Sequence, residues 1–304
     1  MGATVSVSVV VPVFNAAATL PALLSGLRSQ LPNALGPTEF LLVDNGSTDS
    51  SRELVERSGL PNLSALREPK RGPSAARNRG LAAARGDVVA LLDADCVPTR
   101  SWLRALVEPF GDQGVVIVAG GLASYPPRTG AQRFAARYGL NDATRALNNA
   151  PLPFANTRNM AVRRRAAEAV GGWPEELTFG EDVEFSYRLR KRFGCEIVFR
   201  EAALCFHQDR ESDDDLLKQA YSYGRGTAVL YRRHSAEVAW TMNHRLHRRR
   251  RSAQRWLAAG LARLGHRLGR VSPADAEFAA YLSRWDHAFW RGFADSWRST
   301  RVTG

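Results

Sequence analysis

The residues Asp87-Val88-Val89-Ala90-Leu91-Leu92-Asp93-Ala94-Asp95 constrain this chain more than any others. Val88 to Leu92 is an unbroken apolar run between Gly86 and Pro98, which predicts a central strand covered on both faces. Alternation along a strand turns Asp93 and Asp95 the same way, at the edge where the chain leaves the sheet. In open α/β sheets that edge is where ligands bind. Two carboxylates there suit a hard divalent cation such as Mg²⁺, which takes one or two carboxylates together with phosphate oxygens. A solvated turn would carry the same Asp-x-Asp, so the rest of the chain has to decide.

The preceding residues repeat the pattern. Ser6 to Val13 is a β-branched run that ends at Phe14-Asn15, and Phe40 to Val43 is a second that ends at Asp44-Asn45-Gly46. Between them Leu20, Leu23, Leu24 and Leu27 mark one face of a helix capped by Thr19. Ser50-x-x-Glu53 has capping-box spacing for the next helix, which stops at Gly59. A third helix starts at Gly72-Pro73-Ser74 and ends at Gly86. Strand and helix in alternation with short joints predict βαβ units and a mostly parallel sheet. Asn15, Asp44 and the Asp93/Asp95 pair then share one sheet edge. Asp44 there is either a ligand for base or ribose or the start of an Asx-turn. Lys70, Arg71 and Arg77 around a helix N-terminus favour phosphate; a solvated basic face is the other reading.

The formal net charge of +12 calls for an anionic partner. It is concentrated: Thr241 to Arg270 holds nine arginines and no acidic residue. These runs lack interleaved aromatics, which argues against nucleic acid. Cys96, Cys195 and Cys205 have no metal-ligand spacing and point to a reducing compartment. No apolar stretch reaches the roughly 18 residues of a membrane span, so a cytoplasmic protein is expected, possible contact with a membrane surface aside.

Four stretches together resemble the family 2 glycosyltransferases, inverting nucleotide-sugar enzymes of GT-A fold. They are Val9-Val10-Val11-Pro12-Val13-Phe14-Asn15, Val43-Asp44-Asn45-Gly46-Ser47-Thr48-Asp49, Gly72-Pro73-Ser74-Ala75-Ala76-Arg77-Asn78-Arg79-Gly80-Leu81 and Asp93-Ala94-Asp95. The resemblance continues through Asn159-Met160-Ala161-Val162-Arg163-Arg164, Val170-Gly171-Gly172-Trp173 and Gly180-Glu181-Asp182-Val183-Glu184-Phe185-Ser186-Tyr187-Arg188-Leu189, and spans roughly residues 5 to 207.

It implies an α/β GT-A catalytic domain over 1–210, with a nucleotide-sugar half to about residue 97 and an acceptor half from 98. A basic helical extension over 211–304 follows. Donor contacts would come from Pro12, Phe14, Asn15, Asp44, Lys70, Arg77, Asp93 and Ala94. Asp95 would hold the metal, Mg²⁺ or Mn²⁺, that bridges the diphosphate. His207 is a second metal ligand or a structural histidine; as a ligand it would favour Mn²⁺. Asp182, with Glu181 beside it at a helix start after Phe179-Gly180, would be the general base, and Asn159 and Trp173 acceptor contacts. A carboxylate is needed because a sugar hydroxyl is a poor nucleophile until its proton is taken. Transfer passes through an oxocarbenium-like state whose leaving diphosphate gathers charge. The implied reaction moves one sugar, from a UDP-sugar in the first instance, to an unknown acceptor hydroxyl. No Gln-x-x-Arg-Trp follows Asp182, which speaks against a processive polymerase.

Cys96 stands where many members carry an acid, Arg158 where a small residue is common, and Trp173-Pro174 where Phe-Asp is frequent. Two rival readings are a sugar nucleotidyltransferase and a non-catalytic basic membrane or nucleic-acid adaptor. Against the first, Phe14-Asn15-Ala16-Ala17 replaces a Gly-rich basic loop; against the second, Asp93, Asp95 and Asp182 are all retained. In the extension, Leu216 to Arg233 is a helix expected to be interrupted at Tyr223-Gly224-Arg225-Gly226. Leu257, Leu261, Leu264 and Leu268 form one stripe, with Arg255, Arg263, Arg267 and Arg270 on the far side. Residues 252–270 are therefore expected to pack on the catalytic domain, form a homodimer, or lie on an anionic membrane with Trp256 at its boundary.

Overall fold

The computed structural model describes residues 5–149, 152–238 and 242–299. They divide into two compact units, residues 1–123 with 141–208 and residues 124–140 with 209–304.

The first unit opens with β1 (Val7–Val13), α1 (Leu20–Arg28), β2 (Thr38–Asp44), α2 (Ser51–Glu56), β3 (Leu63–Arg67), α3 (Pro73–Ala83) and β4 (Val88–Leu92). The strands lie in the order β3-β2-β1-β4, all parallel, as helical crossovers require. Every residue of β4 is buried. Val88, Ala90 and Leu92 enter one core layer while Val89 and Leu91 enter the other, which explains the run's lack of polar alternation.

Antiparallel strands complete the sheet. β5 (Cys96–Pro98), α4 (Trp102–Val107) and β6 (Ile117–Ser124) come next in the chain. After α5 (Gly130–Tyr138) and α6 (Ala143–Leu147) come β7 (Asn159–Arg163), α7 (Arg164–Ala169), α8 (Glu181–Phe193) and β8 (Ile197–His207). β7 pairs with β4, Asn159 opposite Leu92, and β5 pairs with β8, Cys96 opposite His207. The last pairing matters, because it brings His207 beside the residue after Asp95.

Two predicted caps are not made. α1 and α2 begin after Thr19 and Ser50, but neither side chain caps its helix. Thr19 Oγ1 donates to Ala16 O, and Asp49 Oδ1 accepts from the Ser51 N–H at 3.0 Å. A reciprocal box exists instead at α5, between Thr129 and Gln132.

The second unit joins α5 to α9 (Asp213–Arg233), α10 (Met242–Arg267) and α11 (Pro273–Ser299). Phe134 of α5 stacks on Tyr281 and packs against Phe278 and Trp285 of α11. The expected interruption at Tyr223–Gly226 does not occur, and α9 runs unbroken through it. Its glycine serves packing: a Cβ on Gly224 would lie 1.8 Å from Phe289 O, and one on Gly292 would lie 2.0 Å from Tyr221 O. The backbones of α9 and α11 thus touch at reciprocal glycines. Gly224→Ala should force the helices apart and cost about 1–3 kcal/mol; an unchanged denaturation midpoint would contradict the close crossing. Among the described residues no helix is long and apolar enough to cross a membrane.

Candidate active site

The ends of β1 and β2 are tied together by their own loops. Asn15 adopts φ 47°, and its Oδ1 accepts from Thr48 N–H at 2.8 Å while its own N–H donates to Ser47 Oγ at 3.0 Å. Asp44, buried, accepts from Ser47 N–H at 3.2 Å and so closes the turn that follows β2. Arg71 donates to the carbonyls of Asn45 and Gly46 and lies over the Phe14 ring, 4.0 Å from its centroid. Phe14 is half exposed, and Pro12 sits in β1 opposite Val43. Lys70 pairs with Glu175 at 2.6 Å; this exposed pair is a weak tie.

Arg77 is the organising cation. A Cβ on Gly80 would lie 2.3 Å from Val10 Cγ1, so α3 sits tightly on β1 and brings Arg77 over the sheet. The side chain is only 4% exposed. Nη2 donates to Asp93 Oδ1 and Nη1 to Glu181 Oε1, each at 3.0 Å. Burial works against the charge, but Asp93 and Glu181 outweigh it and raise the pKa. One guanidinium therefore clamps the end of β4 to the start of α8, although Arg77 and Glu181 are 104 residues apart in the chain.

Asp182 follows directly, because Gly180 at φ 85° turns the chain into α8 there. Burial and then the Glu181 carboxylate push the Asp182 carboxyl up to about 7, against the Val183 N–H, Arg77 and Arg158. A carboxyl poised near neutrality has the proton affinity that general-base work asks for.

At the other carboxylate, His207 Nε2 lies 3.5 Å from Asp95 Oδ2, and His207 is almost wholly buried. Arg158 Nη1 is 3.5 Å from the same imidazole nitrogen and donates to Asn141 Oδ1 at 2.8 Å. Its charge also acts on Asp182. Asp95, His207 and Arg158 thus form one chain of neighbours, and Asp93, Arg77 and Glu181 form a second that ends beside Asp182. A carboxylate oxygen and an imidazole nitrogen this close form a donor pair that a divalent cation of Mn²⁺ type can share, with diphosphate oxygens and water for its other positions.

Two predicted acceptor contacts belong to the core instead. Asn159 is 1% exposed, and its amide is spent on Gly121 O, Ala203 O and the Trp102 indole N–H. Trp173 is equally buried and stacked on Phe185 at 4.2 Å. Asn159 points inward from β7, and Trp173, in the turn between α7 and α8, packs in the core layer that holds Phe185 and Leu189. Glu181, expected beside the base, is held by Arg77. Arg158 is not among the site residues that the resemblance implies; its size, where a small residue is common, is the sequence signal that points to it.

Residues 8–171 match the family described as glycosyl transferase family 2. Glycosyltransferase AglE of Haloferax volcanii is 31% identical over 230 residues, 74% of this chain and 74% of that protein. The pre-mycofactocin glycosyltransferase of Mycobacterium tuberculosis is 31% identical over 77% of this chain, which spans about half (49%) of that relative's length. Among solved structures, mannosyltransferase PcManGT from Pyrobaculum calidifontis, in complex with GDP-Man and Mn²⁺, superposes on 98% of this chain and 75% of its own, with TM-score 0.59 at 17% identity.

Proposed function

This chain belongs to glycosyl transferase family 2, has the GT-A fold and is a nucleotide-sugar glycosyltransferase, and on that premise we propose that it moves a single sugar, with inversion and with a divalent metal, onto an acceptor hydroxyl. The observation that carries this reading is the Arg77 bridge between Asp93 and Glu181, which joins the donor edge of the sheet to the base.

The roles follow from position. Asp44, an acceptor at the sheet edge, fits an N–H of a uracil or guanine base, and Asp93, held by Arg77, faces the ribose region. Phe14 and Arg71 form the outer wall of the nucleotide site. Asp95 and His207 would hold Mg²⁺ or, better suited to imidazole, Mn²⁺. Such a cation, when bound, neutralises charge on the leaving diphosphate. Asp182 takes the proton of the acceptor hydroxyl as its oxygen attacks the anomeric carbon. Attack opposite the leaving group inverts that carbon in one displacement, and Glu181 and Arg77 keep the base aimed. A second reading, catalysis without metal, draws on Arg158, a fixed cation beside His207.

A thermal-shift screen over UDP- and GDP-sugars, with Mn²⁺ and with chelator, tests both. We expect donor binding to require metal, and Asp95→Ala to weaken it at least about tenfold, the worth of one charge-assisted contact. Equal binding by Asp95→Ala would overturn the metal assignment, and tight binding in chelator would favour Arg158.

A further inference from the structure

The leucine stripe of α10 is bare. Leu257, Leu261, Leu264 and Leu268, one residue past the helix end, are 55%, 68%, 54% and 60% exposed, and Trp256 is 66% exposed. The spacing i, i+4, i+7, i+11 places the four leucines on one face. The opposite face is the one that packs. Ala259 is buried, Ser252 donates to Asp286 of α11, and Arg255 forms an ion pair with the same carboxylate. Arg255 is thereby removed from the free basic set, and the stripe is turned away from α11. An apolar face of this extent, on a helix that already has a packing partner, marks an interaction surface.

Charge selects the occupant. Residues 241–270 carry nine arginines and no acid, and Arg250, Arg251, Arg267 and Arg270 are exposed. A second copy docked by the same stripe would bring two such arginine sets together, at a cost in like-charge repulsion. A nucleic acid would use the arginines and leave the leucines in water. An anionic lipid surface satisfies both, with leucines among the acyl chains, the exposed arginines at the two ends of the stripe among the headgroups and an indole at the boundary. We propose that α10 lies in the interface of anionic membranes and holds this glycosyltransferase at their surface.

Vesicle co-sedimentation of the full chain, without donor or metal, tests this and leaves the transferase reading standing or falling by its own experiment. At 50 mM NaCl we expect the protein to pellet with phosphatidylcholine vesicles containing about one third phosphatidylserine, to stay in solution with phosphatidylcholine alone, and to be released at 0.5 M NaCl. Leu261→Gln/Leu264→Gln should lower the partition coefficient at least about tenfold. Arg267→Gln/Arg270→Gln should lower it about 25-fold, about fivefold per arginine near the surface. All four side chains are exposed, so the melting temperature should not move. Wild-type protein that stays in solution with anionic vesicles overturns the proposal. So does a leucine variant that pellets like wild type, or one that converts a wild-type dimer to monomer without altering partition.

Discussion

Asp182→Asn should reduce transfer by about 10²–10⁴-fold, the usual worth of a general base, while donor binding is retained. The isostere keeps the position at the start of α8 and removes only the ability to accept a proton. With the carboxyl pushed up to about 7, the wild-type kcat/KM should rise about tenfold per pH unit below 7 and level off above it. A flat profile from pH 5.5 to 8 would sink the assignment. Stability gives an independent reading. The unfolded chain ionises Asp182 near pH 4, whereas the folded chain keeps the proton to about 7. Folding therefore loses stability as pH rises between those values, and the loss persists above. Linkage sets an upper bound of about 4 kcal/mol, which residual water around the carboxylate reduces. Asp182→Asn should accordingly be more stable than wild type by about 1–2 kcal/mol at pH 8, and equal to it at pH 4. Equal melting temperatures at pH 8 would show that burial does not strain this group.

Arg77→Met should damage both fold and site. The substitution fills most of the arginine's volume but leaves Asp93 and Glu181 without their shared cation, and breaking such a buried pair costs about 3–5 kcal/mol. In a chain of this size that lowers the melting temperature by about 6–20 °C. Donor affinity and transfer should both fall, because Asp93 and Asp182 lose a common anchor. Arg77→Lys should not rescue, since one ammonium cannot fork to two carboxylates as a guanidinium does. Removing one stranded charge should help: Arg77→Met/Glu181→Gln is expected to recover part of the lost stability. A double variant no more stable than Arg77→Met would show that the bridge is not what couples β4 to α8.

Arg77 also marks where reading the chain by itself stops. Its place in a basic helix start was legible, and phosphate was the natural partner for it. The structure uses it between two carboxylates, one of them 104 residues away. Asn159 and Trp173 lie in stretches that resemble the family, yet both are interior, since a motif includes residues that build the fold along with those that touch ligands. Gly224 read as a break because glycine weakens an isolated helix. In the fold the missing side chain is what lets α9 meet Phe289 of α11.

The amino-acid order alone determined the parallel strands, the carboxylates at their ends, the helix that starts at Glu181 and the family. Those are consequences of periodicity and of which residues end a strand, and both act over a few positions. Tertiary packing decided what each side chain meets: Arg77 with Glu181, His207 with Asp95, and residues 124–140 with the C-terminal helices. It also left the α10 leucines uncovered. The reason is that a local pattern specifies a face or an edge, whereas the group standing opposite is set by burial summed over distant segments, which no short stretch encodes.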